Sequence, residues 1–531
     1  MKLEAVIASA VAVSIFAGCS VKNGDAFESK RSALLARSRP VVYNTDGCDM
    51  LYYPTNLPLS VEAFCGMRLD YSKGPVIGTI SYCPVSSGFS HFTATKAGDL
   101  FSGSVLSSPP SARNATLEFR DKIKTDSLQM AVDFCRREGK EIFVGIRVND
   151  THDANGTYGK YLFPPFKKAH PECLMGTASN KPPHCSWTAV DFAHEAVREH
   201  MRKFVREFVE NYDLDGIEYD FMRHAQLFKT VAWGGRATVA ECDMMSALMR
   251  DLRAITEAEG RRRGRPILVV ARTPDSLPYA KAIGMDVERW MTDRSLDIWV
   301  GSGYFQLEQW TKAVEVARRH GVKFYASIDE SRIPNTAKRR KLPIIPGRQT
   351  IEFYHARFAA ALALGCDGVY VFNLERKSLK DYLADDPRDL AGRNKIYFAT
   401  ERASGGYRAW HYLEGGRDFW NMAQIDPGEP RKMAAGETYA FEIAIGEDFA
   451  KAAAAGKKAE VTVLAQTGLK AEAPLAVRMN GRDLSGATFK NGLFSFKVDA
   501  SQVVKGLNRF EVKMPAATTF NDFAVKVDYR P

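Results

Sequence analysis

The 531-residue chain is 45% hydrophobic and 26% charged, with 40 Gly and 24 Pro, a mixture that excludes a disordered or fibrous protein. Lys plus Arg number 73 against 63 acidic residues, a net of +10, yet the basic runs at 261–265 and 338–341 lack interleaved aromatics; they read as solvated helix ends or loops, and no nucleic-acid partner is expected. At about 150 residues per domain the length allows three or four domains, and one (β/α) barrel of about 250 to 400 residues with a small second domain accounts for it equally.

The strongly apolar run lies at the N-terminus, Ala5 to Gly18, too short to span a bilayer and placed where the apolar core of a signal peptide belongs. It ends in Phe16-Ala17-Gly18-Cys19, which resembles the bacterial lipobox. The resemblance implies a lipoprotein-type signal over 1–19, lipidation of Cys19, and a membrane partner through that anchor. Ser20 after the cysteine resembles an outer-membrane sorting signal. The expected location is the cell envelope, with a periplasmic or secreted protein as the alternative, and 20–39 read as a linker.

From Val41 to about Glu375, short β-branched or apolar runs alternate with helical-period segments, the pattern of βαβ units. The predicted strands are Val41 to Asp46, Val76 to Cys83, Glu141 to Asn149, Leu214 to Phe221, Pro266 to Arg272, Asp297 to Tyr304, Val322 to Asp329 and Gly368 to Asn373. The clearest helices are Ser127 to Glu138, Ala189 to Asn211, Val239 to Arg262, Gln309 to His320 and Thr350 to Leu364. Eight strands separated by helices predict a closed (β/α)8 TIM barrel over 40–400. No Gly-x-Gly-x-x-Gly follows the first strand, which argues against a dinucleotide fold. A collar or linker is expected over 401–429, and alternating runs with turns at Asn480-Gly481 and Asn491-Gly492 predict a β-sandwich over 430–531. Within it, Val503 to Val512 resembles the penultimate hairpin of sandwich modules attached to carbohydrate-active enzymes.

The loop from Asp150 to Trp187, after the third strand, is long and rich in Pro, Gly and His, as loops that shape a barrel's site are. It gathers His170, Cys173, His184 and Cys185. A zinc site, a Cys173–Cys185 disulfide and free thiols all remain open there, and because no CxxC occurs, no metal and no other cofactor is assigned.

The most informative stretch is Asp213 to His224, at the end of the fourth strand. Side chains alternate across a strand, so Ile217, Tyr219 and Phe221 face the helices while Glu218 and Asp220 point into the barrel. Two like charges at one mouth raise one pKa, unless Arg147 or Arg272, both able to point inward, satisfy them structurally. The stretch resembles (β/α)8 glycoside hydrolases, particularly bacterial proteins related to the glycosyl-hydrolase-like 10 group, in which Asp-Gly-Ile is followed by acidic residues and Arg. Family 18 chitinases carry their acid where this chain has Met222, and the α-amylase pattern has Arg where this chain has Glu218, so neither chemistry is implied. Asp220 would map onto the amylase nucleophile.

Glycoside hydrolysis normally uses two carboxylates, so a partner on another strand end is needed. Asp275, Asp329, Glu330 and Glu375 qualify, and parity favours Asp329 as the inward one. Asn44, Asp46, Asn149, Arg272, Tyr304, Asn373 and Glu375 are the expected substrate-binding residues, able equally to form a polar layer that steadies the carboxylates. Tyr158, Trp187, Trp233, Phe305 and Trp310 are aromatic candidates for stacking on sugar. The resulting expectation is an exported glycoside hydrolase acting on a poly- or oligosaccharide. In it Asp220 is nucleophile or base, Glu218 is acid or pKa-setting neighbour, and Asp329 is the opposing carboxylate. Its rivals are an inactive surface carbohydrate-binding lipoprotein and a metal-dependent carbohydrate deacetylase using His152, Asp153, His170 or His184.

Overall fold

In the computed structural model the described residues are 26–86, 90–91, 93, 96, 99–100, 111–154, 162–329, 344–372, 374, 381–401, 408–425, 427–470 and 473–531. Eight parallel strands close a barrel: β1 (Val41–Asp46), β2 (Ile77–Cys83), β3 (Glu141–Arg147), β4 (Gly216–Asp220), β5 (Leu268–Thr273), β6 (Ile298–Gly301), β7 (Lys323–Asp329) and β8 (Gly368–Phe372). Each pairs with its neighbours in chain order, and β1 closes on β8. Every residue of β3, β4 and β5 is buried, as expected of strands covered by helices outside and side chains within. All eight strands lie where the apolar runs place them.

The principal helices are α1 (Ser127–Arg137), α2 (Glu195–Asn211), α3 (Val239–Arg262), α4 (Thr311–Arg319) and α5 (Ile351–Ala363). Their starts are written locally. Asp126 accepts from the amides of Leu128 and Gln129, Thr238 and Glu241 form a reciprocal capping box, and Thr350 caps α5. The expected start of the second helix at Ala189 is six residues too early, because 189–194 form a turn in which the Asp191 carboxylate accepts from the Ala193 amide.

Three aspartates fasten the floor of the barrel. Asp215 accepts from the Ile142 amide at 2.9 Å, Asp297 from Val269 at 2.8 Å and Asp367 from Phe324 at 3.0 Å. Each stands just before a strand and ties it to the start of the preceding one. The Asp of the Asp-Gly-Ile stretch is therefore a structural clamp at the end of the barrel opposite the mouth, paired with Arg136 and Arg265.

Beyond the barrel stands a β-sandwich. One sheet holds β9 (Lys395–Phe398), β10 (Arg431–Met433), β12 (Lys458–Thr467), β15 (Thr488–Lys490), β16 (Leu493–Val498) and β18 (Thr518–Arg530). The other holds β11 (Thr438–Ile445), β13 (Ala476–Met479), β14 (Arg482–Asp483) and β17 (Gly506–Lys513). Its core is a phenylalanine cluster: Phe523 of the first sheet meets Phe441 and Phe510 of the second at ring-centroid distances of 4.8 and 5.0 Å. The edge strand β9 falls inside the stretch 40–400 expected for the barrel, yet it hydrogen-bonds along β18.

The two domains are locked where the chain turns into α5. Arg348 donates twice to Asp522, at 2.7 and 2.8 Å, stacks over Phe398 at 3.8 Å, and both side chains are buried. At Gly446 a Cβ would lie 2.2 Å from the backbone of Ala359 on α5, so only glycine permits this approach. Removing one partner of a buried, bidentate pair strands the other charge. Asp522→Ala is therefore expected to lower unfolding stability by about 3–5 kcal/mol, read from urea titration.

Candidate active site

The barrel's mouth is built around β4. Glu218 is completely buried, and both its oxygens are engaged: Ser81 of β2 donates to Oε2 and Tyr370 of β8 to Oε1, each at 2.6 Å. Ser81, Glu218 and Tyr370 come from alternate strands, as the layers inside a (β/α)8 barrel do. Burial, then the charge of Asp220 two residues on, push the Glu218 carboxyl up to about 7. Of the two roles expected for Glu218, this geometry suits the pKa-setting neighbour, since neither oxygen faces open space.

Asp220 stands one step nearer the mouth. Its Oδ1 accepts from the Met222 amide at 2.9 Å and its Oδ2 from Arg272 Nη1 at 3.3 Å. Register places Arg147, Asp220 and Arg272 side by side on β3, β4 and β5. Arg272 is fully buried, lies over the Phe372 ring at 3.9 Å, and keeps Nε and Nη2 without a hydrogen-bond partner among the described residues. A Cβ at Gly303 would come within 3.2 Å of Nη2, so the absent side chain leaves room for the guanidinium.

Asp329 is buried at the end of β7, where register sets it beside Phe372 just as Ser327 stands beside the inward Tyr370. The parity expectation therefore agrees with its position. Asn44 is buried and in register with Ser81. Tyr304 is buried, packs its ring on Phe372 at 5.7 Å, and its hydroxyl accepts from Arg223. Cys19, Tyr158, Glu330, Asn373 and Glu375 lie outside the described residues, as does the side chain of Asp46.

Two expected ligand or acid groups are structural instead. The Asn149 amide donates to the carbonyls of Val190 and Gln226 and its oxygen accepts from the Val190 amide, so it pins the long loop to the strand-four extension. Asp275 accepts from the amides of Leu307 and Glu308, fastening the β6 loop, and burial pushes it up to about 6. Among the aromatics, Trp310 is buried and donates to Ser302, and Trp187 stacks on Phe163; Trp233, 41% exposed, donates to the Met175 carbonyl.

The sequence reading did not foresee a network at the mouth. Asp150 is fully buried; Arg147 donates to its Oδ2 at 2.8 Å, and His152 Nδ1 meets its Oδ1 at 2.5 Å. His152 Nε2 in turn lies 2.7 Å from Arg223 Nη2, and Arg223 reaches Tyr304. Burial would raise Asp150, but His152 and Arg147 outweigh it and hold the carboxyl well below its usual range. His224, also buried, accepts from the Thr151 amide at 3.2 Å, and its pKa is driven well down by burial. The signal was available only as Asn-Asp-Thr-His after the third strand and Arg-His after the fourth.

Asp150, His152 and His224 bring possible metal-ligand atoms within 4.8 Å of one another. They fit a cation poorly, because Arg147 and Arg223 already occupy the carboxylate and the ring nitrogen. The residues suggested for a deacetylase do not form one group among the described residues. His170 lies with Glu172 and Cys173, Asp153 is paired with buried Lys167 at 2.7 Å, and His184 turns to the Trp410 carbonyl. Of the possibilities for Cys173 and Cys185, the structure has free thiols, both pushed up by burial, Cys173 to about 11.

No protein-family model matches the chain, and no curated protein does. Solved structures similar to it include the glycoside hydrolase domain of PgaB from Bordetella bronchiseptica, at 12% identity and a TM-score of 0.40 over 66% of this chain and 97% of that one. An α-L-fucosidase from Paenibacillus thiaminolyticus has 12% identity and a TM-score of 0.40 over 67% and 49% of the two chains. An Anoxybacillus α-amylase has 9% identity and 0.37 over 90% and 98%. None of these likenesses fixes the chemistry at residues 218 and 220.

Because the folded pKa of Glu218 lies above the ordinary 4.5, its contribution to stability is full below that pH and is lost as pH rises through about 7. Between pH 4.5 and 8 the native chain is therefore expected to lose about 3 kcal/mol more than Glu218→Gln, which cannot ionise, in paired urea titrations.

Proposed function

We propose that the protein is a glycoside hydrolase acting on a poly- or oligosaccharide. The observation that carries the reading is the Glu218–Asp220 pair, two carboxyls set on one inward face of β4, the deeper pushed up to about 7 and the outer held by an arginine. On this reading Asp220 attacks the anomeric carbon or takes a proton from water. Arg272 orients it, and Glu218 keeps a proton that limits the negative charge beside it. Asp329, inward on β7, is the opposing carboxyl that protonates the leaving oxygen.

A second reading, binding without turnover, is favoured by Met222, which is 1% exposed and stands where the family 18 pattern has its acid. Export and anchoring at Cys19 belong to the proposal on the strength of the lipobox-like Phe-Ala-Gly-Cys; among the described residues no helix is long and apolar enough to cross a membrane.

Release of reducing ends from a panel of neutral and anionic polysaccharides tests the pair. Asp220→Asn is expected to lower turnover by about a hundredfold or more while leaving glycan binding in place. Unchanged turnover in this variant would remove Asp220 from the chemistry. Retention of one glycan with no release by the unaltered protein would establish the binding reading. Incorporation of labelled fatty acid in a bacterial host, lost in Cys19→Ser, is expected if the anchor is real.

A further inference from the structure

Beside the sandwich, the described residues of 408–429 form a collar in which two pockets share a wall. The first runs from Tyr304 and Gln306 of the barrel to Arg408 and Trp420. The second continues from Arg408 and Trp420 past Trp410 and Arg417 to Arg431 on β10. Arg408 and Trp420 are the wall between them, and the second pocket is the one lined by arginines.

Its chemistry is set by stacked arginines. Trp410 and Trp420 stack with ring centroids 5.4 Å apart and planes 25° from parallel. Arg408 and Arg417 lie over the Trp410 ring at 4.6 and 4.4 Å, and Arg431 lies over Tyr439 at 4.2 Å. The indole surface that a neutral pyranose would stack on is thus covered by cations. A guanidinium seated over a ring can keep its in-plane N–H edge available, the edge that grips two oxygens of a carboxylate or sulfate. The positive charge is only partly offset. Glu429 is 61% exposed and lies 3.5 Å from Arg408, Glu437 lies 3.5 Å from Arg431, and exposed Arg417 has no carboxylate partner among the described residues. Trp420 Nε1 and Arg431 Nε are buried donors without an acceptor among the described residues.

We infer that Arg417 and Arg431, with the stacked Trp410–Trp420 pair, form a subsite for the carboxylate or sulfate groups of an acidic polysaccharide. This deepens the glycosidase reading and rests on it for the choice of a saccharide, while the anion recognition stands on the collar alone.

The test is isothermal titration of the full chain with four probes: oligogalacturonate, a sulfated malto-oligosaccharide, the same malto-oligosaccharide unsulfated, and oligothymidylate. At least one acidic saccharide is expected to bind, with affinity falling as salt rises, and to bind better than the neutral one. Binding of the carboxylated probe alone assigns a uronate, and binding of the sulfated probe alone a sulfated glycan. In the double variant Arg417→Gln, Arg431→Gln the acidic saccharide is expected to bind about tenfold more weakly with an unchanged thermal midpoint. If that midpoint falls, Arg417→Glu alone, at an exposed position, carries the same expectation. No binding of either acidic saccharide, undiminished binding in the variants, or oligothymidylate or neutral sugar binding as tightly would overturn the subsite. Asp220→Asn separates the two claims: it should bind the acidic saccharide as the native chain does, so failure of turnover and failure of the collar are read independently.

Discussion

Burying two carboxyls inside a closed barrel, two residues apart on one strand, is the constraint that the mouth answers. Neither can be moved to the other face without shifting the register of β4, which would expose Ile217 and Tyr219 to the interior and drive the acids toward the helices. The chain resolves the conflict by depth. The deeper acid is surrounded by neutral hydroxyl donors, which tolerate a proton on it, and the shallower one is faced by Arg272. Arg272 is itself supported by the Phe372 ring and by the missing side chain at Gly303. Strand register, aromatic packing and a glycine thus converge on one ion pair.

Position along the strand also orders the other acids of the barrel. Asp215, Asp297 and Asp367 sit before their strands, where unpaired amides of the neighbouring strand need acceptors. Asp275, although past the end of β5, is consumed in the same way by the amides of 307 and 308. Asp220 differs because it leaves the strand at the other end, with one oxygen satisfied by a single amide and the other by a side chain.

The barrel was legible because parallel strands buried on both faces must be apolar runs, and the eight runs in the sequence are those strands. The inward direction of Glu218, Asp220 and Asp329 followed from period-two alternation, which needs only local geometry. What joins Asp150 to His152, Arg223 and Tyr304 is not local: it depends on β3, β4 and β6 ending at one height, and register between strands distant in sequence leaves no periodic trace. Asn149 illustrates a related limit. A polar residue at a strand end looks alike whether it awaits a ligand or holds a loop, and only the positions of Val190 and Gln226 decide. The Cys173 and Cys185 thiols show the same limit, since spacing permits a bridge that three-dimensional placement does not make.

The arginines of the active face fall into two sets, and their difference bears on what the face can meet. Arg147 and Arg272 are buried against carboxylates of the same mouth, so their charge is largely spent on holding Asp150 and Asp220. In the collar, Arg417 is held by an aromatic ring instead of an acid, which fixes its orientation without cancelling its charge. A ring-held guanidinium keeps its field, and several together raise the local concentration of an anionic chain before contact. Such a field would also oppose the repulsion that buried acids at the mouth exert on that chain. On the proposed reading the collar and the carboxyl pair are electrostatically complementary: an acidic saccharide would meet Asp220 only with Arg272 already beside it.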